Sequence, residues 1–360
     1  MKVGICTNHY AHNYGAMLQA YALRRYCESK GCDVVMTDRR TKQLPTIKLK
    51  SLRGLSWKEI LLYPKYFVKW FLPIYLPIER RKRNFNCFLN KYLNDKLLSS
   101  KDIELDLIIY GSDQIWSKYD YGFNDRWWGD DGLKARKRIT YAASMGVVDI
   151  TDEDEPYIRN ALSRFDAVSV REKDLYDELV ARKLYDGEAL RQTIDPTFLI
   201  SVDEWKKIAA SRMIKEPYLL FYDFQIDAET TRIVKKIAQS RNLKIVRMTD
   251  GLHVDNEDAV YIETAGPSEF LSLIYYADFV FSSSFHGTAF SIIFKKQFAV
   301  RQIWNKERVK SLLAIAELSE RFIEGAYREG MLCDINYGAL SSLEKKILES
   351  KEFLDKAIID

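Results

Sequence analysis

Short apolar runs alternate with stretches of helical spacing along most of this chain. Val3–Thr7 is an apolar strand, Ala16–Glu28 places Met17, Ala20, Tyr21 and Leu23 at helical spacing, and Gly31 follows as a cap. Asp33–Met36 is the next strand, so the chain opens as β-α-β. Leu105–Tyr110, Arg138–Ala143 and Ala167–Val170 read as further strands, and Gln192–Ile194 as a short one that stops at Asp195-Pro196. Thr151 reads as the cap of a helix with an acidic first turn, Asp152 to Asp154. A second series begins at Tyr218–Tyr222 and continues with helix Ala228–Arg241 and strand Lys244–Met248. Helix Pro267–Tyr276 and strands Phe279–Phe281 and Phe298–Arg301 follow, then an apolar-spaced tail, Leu340–Ile358. Strands alternating with helices predict an α/β protein of two Rossmann-like halves, with a boundary near Ser201–Glu216. Residues 1–200 form the first half, 201–330 the second and 331–360 a helical tail.

The most informative segment is FVFSSSFHGTAFSIIF, Phe279–Phe294. An apolar strand ends in three serines, and a helix is expected from Thr288 to Phe294. Such a turn leaves backbone N–H groups unpaired beside a helix dipole, which makes an anion site. His286 sits on that lip, and Gly287 lets a ligand approach the backbone. The chain has four histidines. One at the carboxyl end of a strand, where open sheets bind ligands, is the candidate for proton exchange near neutral pH.

Composition narrows the class. The hydrophobic fraction of 47% and charged fraction of 29% are those of a globular protein. The five cysteines form no C-x-x-C pair and read as reduced, which suits a cytosol. MKVGICTNHY reads as a strand rather than a signal peptide, and no run of apolar residues is long enough to span a membrane. The net charge of +4 hides an asymmetry. Lys42–Arg83 holds eleven Lys or Arg against two Glu, a net +9, whereas the rest carries 44 against 49, a net −5. Tryptophans, tyrosines and phenylalanines lie among these charges, and the segment ends in Arg80, Arg81, Lys82 and Arg83. It reads as a helical insertion at 42–83 in the first half. Its aromatics either pack on the body or meet the headgroups of an anionic membrane. Nucleic acid is not an expected partner.

Familiar cofactor motifs are missing: no G-x-G-x-x-G, no P-loop and no G-x-S-x-G elbow. His9 and His12 lie in a loop without a nearby carboxylate, so no metal site is expected. What stays is a set of polar strand ends. Asn13-Tyr14-Gly15 follows the first strand, Gly111 to Gln114 another, Arg171 a third and Ser282 to Gly287 one in the second half. Each has a structural alternative, such as Asn13 or Asp113 acting as a cap. Together they point to one site between the halves.

In these residues the chain resembles the polysaccharide pyruvyl transferases. The opening GICTNHYAHNYGAMLQAYAL is similar to that family's first strand, turn and helix. YGSDQIW, YAASMG, VSVREK, DPTFL and SSSFHGTAFSIIF follow in the family's order. The resemblance spans about Lys2 to Arg301, with the basic stretch outside it. It implies a GT-B-like fold, with the first half on the acceptor side and the second on the donor side. It also implies phosphoenolpyruvate as donor, a sugar hydroxyl pair as acceptor and a pyruvate ketal as product, with no cofactor. The family's active-site histidine maps to His286 and its donor-binding arginine to Arg171. Ser283, Ser284, Gly287 and Thr288 are expected at the donor, Asp113 as a base, and Asn13, Tyr14 and Gly15 at the acceptor. Better-known members place a basic residue two before the histidine; here that position is Ser284. Either backbone N–H groups substitute for the cation or the donor differs from phosphoenolpyruvate.

Two other readings stay open. A GT-B glycosyltransferase using a nucleotide sugar needs the same fold. A non-catalytic anion- or glycan-binding protein would keep Arg171 without needing His286. A cytoplasmic enzyme acting on a lipid-linked oligosaccharide would work at the inner face of the membrane, where the basic segment would be useful.

Overall fold

The computed structural model describes residues 1–37, 72–94, 97–98, 103–187, 190–223, 227–249, 259–325, 327 and 330–359. Of the expected insertion, 42–71 lies outside the described residues.

Each half is built on a parallel sheet. In the first, β1 (Lys2–Cys6), β2 (Asp33–Met36), β3 (Glu104–Tyr110) and β4 (Lys134–Thr140) run in the order β2-β1-β3-β4. β5 (Val168–Val170) and β6 (Leu190–Gln192) pair beside β4, joined to it by bridges Ile139–Ala167 and Ala143–Val170. In the second, β7 (Tyr218–Tyr222), β8 (Lys244–Met248), β9 (Ala259–Ile262), β10 (Phe279–Ser282) and β11 (Gln297–Val300) run β11-β10-β7-β8-β9. Strands β1, β7 and β10 are almost wholly buried, which explains why they read as unbroken apolar runs rather than alternating ones. In chain order the helices are α1 (Tyr14–Ser29), α2 (Leu72–Tyr92), α3 (Lys118–Tyr121), α4 (Glu155–Leu162), α5 (Lys173–Ala181) and α6 (Val202–Ile208). They continue with α7 (Ala228–Ser240), α8 (Pro267–Tyr275), α9 (Phe285–Ile293), α10 (Glu307–Ile315) and α11 (Ser341–Ile359). This is the GT-B-like arrangement of two Rossmann-like halves.

Strand order fixes where ligands bind. The first sheet reverses direction between β1 and β3, and the second between β7 and β10. Crevices open at the carboxyl ends of strands at such switch points. These two face each other, because His286 of the β10–α9 turn packs against Gly15 at the start of α1, just after β1; it also meets Asp195, beyond β6.

One apolar core joins the halves. The Tyr14 ring lies between Phe85 of α2 and Phe270 of α8, at 4.8 and 4.9 Å. Trp205 of α6 touches Tyr21 on one side and Phe290 on the other. Aromatic pairs of this kind add about 0.5–1.5 kcal/mol each beyond burial. α2 therefore turns its apolar face, Phe85, Phe88 and Leu89, into the seam, while Arg80 and Arg83 stay exposed. Helix α11 does not trail behind the second half. It returns to the first, where Ser350 Oγ accepts from Ile194 N–H (2.9 Å) and Asp355 accepts from Tyr26 Oη (2.8 Å).

Two expected boundaries move. β4 begins at Lys134, four residues early, because its first half is a run of half-exposed or exposed basic residues with no apolar signal. The helix expected at Thr151 starts at Glu155. Asp154 Oδ2 instead accepts from Thr151 N–H (3.0 Å), and Pro156 sets the first turn.

Candidate functional site

The β10–α9 turn forms the site's floor. Ser284 caps α9: its Oγ accepts from Gly287 N–H (3.5 Å) and its carbonyl from Thr288 N–H (3.0 Å). The helix thus starts at Phe285, three residues earlier than its apolar spacing indicates, and His286 lies inside its first turn. Gly287 and Thr288 N–H are occupied by the cap, so the amides left for an anion are those of Phe285 and His286. Thr288 Oγ1 also bonds back to Ser284 O (3.0 Å), and Ser283 is buried. Of the four expected donor contacts, Ser284, Gly287 and Thr288 shape the turn from within. Gly287 is required there, since a Cβ would lie 2.2 Å from Ser282 Oγ and 2.9 Å from the Tyr222 ring.

His286 crosses to the first half. Its Nε2 is 3.5 Å from Asp195 Oδ2, and its Nδ1 faces the start of α1. A Cβ on Gly15 would lie 1.8 Å from Nδ1, so only glycine admits the ring. The ring is 8% exposed and Nε2 has no ideal hydrogen bond. Asp195 is wholly buried. It receives Arg171 Nη1 (2.9 Å), Thr197 N–H (3.0 Å) and Thr197 Oγ1 (2.9 Å). Burial alone would raise its pKa; His286 and then Arg171 outweigh burial and hold the carboxyl far below the usual range.

Arg171 is 4% exposed and stacks on the Phe285 ring, 4.3 Å from its centroid. Its Nε donates to Glu172 Oε1 (2.9 Å), while Nη2 is buried with no partner. Nε and Nη1 each donate to a carboxylate, and Nη2 is the guanidinium nitrogen left for a ligand. Burial opposes its charge, but Glu172, Asp195 and Asp113 raise its pKa further.

Asp113 adopts φ 74° after β3, half-buried, and its charge acts on both Arg171 and Arg308. Asn13 Oδ1 caps α1 by accepting from Ala16 N–H (3.1 Å). Tyr14 Oη donates to Ala265 O (2.9 Å) across the seam and is buried. Asn13, Tyr14 and Gly15 thus hold α1 and the histidine in place, and the hydroxyl of Tyr14 is already occupied.

Sequence reasoning missed Asp195 and Arg308. Asp195 looked like the residue ending a short strand; its signal was the Pro after it, which gives it a capping geometry. Arg308 lies in α10, whose signal was the helical spacing of Val309, Leu312, Leu313 and Ala316. Gln114, seated over Gly146 (φ 77°), accepts from Arg308 Nη1 (2.5 Å) and Nη2 (3.1 Å) once its amide is oriented by those bonds. No carboxylate pairs directly with Arg308 among the described residues. Burial, then Arg171, lowers its pKa below the ordinary arginine value. It is a second cation in the cleft, arriving from a different element than the position occupied by Ser284. Among the described residues no group of three or more His, Cys, Asp or Glu is placed to hold a metal, and no helix is long and apolar enough to cross a membrane.

No curated protein matches this chain. Solved structures match it at low identity and low TM-score. UDP-GlcNAc 2-epimerase from Methanocaldococcus jannaschii is 12% identical, over 98% of this chain and 92% of that one, with a TM-score of 0.46. The Neisseria meningitidis UDP-GlcNAc 2-epimerase bound to UDP-GlcNAc is 11% identical over 97% and 99%, with a TM-score of 0.44. The E. coli ADP-heptose LPS heptosyltransferase II is 11% identical over 98% and 100%, with a TM-score of 0.38. At these scores the likenesses add nothing to the fold read from the sheets. Sequence is more telling: the family model "Polysaccharide pyruvyl transferase" matches residues 13–301, a span that holds Arg171, Asp195 and His286, and this chain belongs to that family of transferases.

Proposed function

We propose that the cleft transfers a pyruvyl group from phosphoenolpyruvate to two hydroxyls of one sugar in a polysaccharide precursor. The observation that carries this reading is the His286–Asp195–Arg171 cluster between the two halves, with Arg308 beside it. It combines a proton-exchanging group with cations and free amides suited to a small, multiply charged anion.

The donor's methylene takes a proton from His286, and the adjacent carbon becomes electrophilic. One sugar hydroxyl attacks that carbon and gives its proton to the histidine. The carbon–oxygen bond to phosphate breaks, and the second hydroxyl closes the ketal. Of the two hydroxyl protons, one replaces that given to the methyl group and one leaves with phosphate. Asp195 stabilises the protonated imidazole and fixes its ring. Arg171 Nη2 and Arg308 grip carboxylate and phosphate, and the amides of Phe285 and His286 stabilise the departing phosphate. Asp113 is the base for the second hydroxyl.

The acceptor is lipid-linked in this reading, and the cationic stretch midway along α2, with Arg80 and Arg83 exposed, faces the anionic surface on which it is carried. Reversing Arg80, Arg81, Lys82 and Arg83 to glutamate should release the protein from anionic vesicles at low salt. The reaction itself is tested by phosphate release from phosphoenolpyruvate over a panel of lipid-linked and nucleotide-linked sugars. Release that requires a sugar and His286 supports it. Binding of a uridine or guanosine nucleotide, with no release from phosphoenolpyruvate, would favour a glycosyltransferase instead.

A further inference from the structure

We propose that the loop 301–306 is the acceptor-sugar subsite, with Trp304 as a stacking platform for the apolar face of a pyranose ring and the Gln302 amide bonding one of its hydroxyls. This rests on the pyruvyl-transfer reading of the adjacent cleft. The loop is tied to the site at both ends. Arg301 N–H donates to Ser282 O (3.3 Å), beside the α9 turn. Beyond the loop, in α10, Ser311 Oγ accepts from Lys173 N–H (3.4 Å) and Gln192 Nε2 (3.4 Å), on the first half. The loop therefore leads from the β10–α9 wall into a helix that touches the first half.

Trp304, midway along it, is 72% exposed and has no ring partner among the described residues, whereas Trp116, Trp128 and Trp205 are buried. Gln302, two residues before it, is 9% exposed and its Oε1 is buried without a hydrogen-bond partner. Buried amide oxygens are almost always paired, so this one awaits a donor. A flat apolar surface beside an unpaired amide suits a sugar, whose ring has an apolar C–H face edged by hydroxyls.

The test compares the wild type with Trp304→Ala, Trp304→Phe and Gln302→Ala. Trp304→Ala should raise the acceptor KM about tenfold, with the phosphoenolpyruvate KM and kcat unchanged, and Trp304→Phe should restore most of it. Gln302→Ala should raise the acceptor KM severalfold. An unchanged acceptor KM in Trp304→Ala overturns the subsite while leaving the reaction intact. Should the wild type release no phosphate from phosphoenolpyruvate, the reaction reading fails. The subsite is then judged by tryptophan-fluorescence titration with the same sugars. A response lost in Trp304→Ala supports it; an equal response, or no binding by the wild type, overturns it.

Discussion

The two switch points face one cleft but bring opposite chemistry to it. The first half supplies charge: Arg171, Glu172 and Asp195 are buried and paired with one another. From the second, the β10–α9 turn supplies an uncharged wall of small residues, a helix start, free amides and one histidine that reaches across, while Arg308 comes separately from α10. The charged wall is costly to break, because each member leaves a partner stranded in low dielectric. The neutral wall is cheap to fold and can be given over to chemistry. An anchor and a reacting surface are thus divided between two domains.

The sharpest way to break that division is Asp195→Ala, which strands Arg171. It should cost about 3–5 kcal/mol of stability in denaturant unfolding at pH 7, besides abolishing turnover. The sign with pH follows from its lowered pKa. The ionised carboxylate contributes stability above its unfolded pKa of about 4, and that contribution is lost as pH falls toward the folded value. The gap between wild type and variant should therefore narrow in acid; a gap that widens contradicts the pairing. His286→Gln should act mainly on the chemistry, lowering turnover about a hundredfold while costing less stability than Asp195→Ala. A well-folded variant with near-normal turnover would remove the histidine from the mechanism.

Gly15→Ala sits between these cases. Its methyl displaces the His286 ring, and displacement of about an ångström can cost up to a hundredfold in rate. Unaltered kcat would show that the ring has room the structure does not give it. The smallest effect is expected from Arg308→Ala. Losing one charge-assisted contact should weaken phosphoenolpyruvate binding by about 1.5–3 kcal/mol and leave stability nearly intact. An unchanged donor KM would return the anion to the amides and Arg171 alone.

What was legible in the sequence follows the same division. The neutral wall announced itself, because apolar strand, serines, histidine and glycine are contiguous from Phe279 to Gly287. The charged wall was legible only in part. Arg171 stood at a strand end, but its pairing to Asp195 spans 24 residues and is a property of folded space. Asn13, Tyr14 and Gly15 lie at the start of α1, where Gly15 meets His286, yet residue type could not separate holding a helix from touching a ligand. Arg308 was missed although Val309, Leu312, Leu313 and Ala316 recur at helical spacing and are buried, because that stripe marks the helix but not which of its polar residues turns to the cleft.

The return of α11 carries a consequence for the order of events in synthesis. Ser350 supplies the hydroxyl that receives Ile194 N–H, one residue before Asp195. A chain emerging from the ribosome can complete the sheet β2-β1-β3-β4 early, but the peptide beside its key carboxylate stays unsupported until Ser341–Ile359 arrives. The first domain to begin is thus the last to be finished, and a nascent chain halted after the second sheet should hold both walls of the cleft without yet having its charge in register.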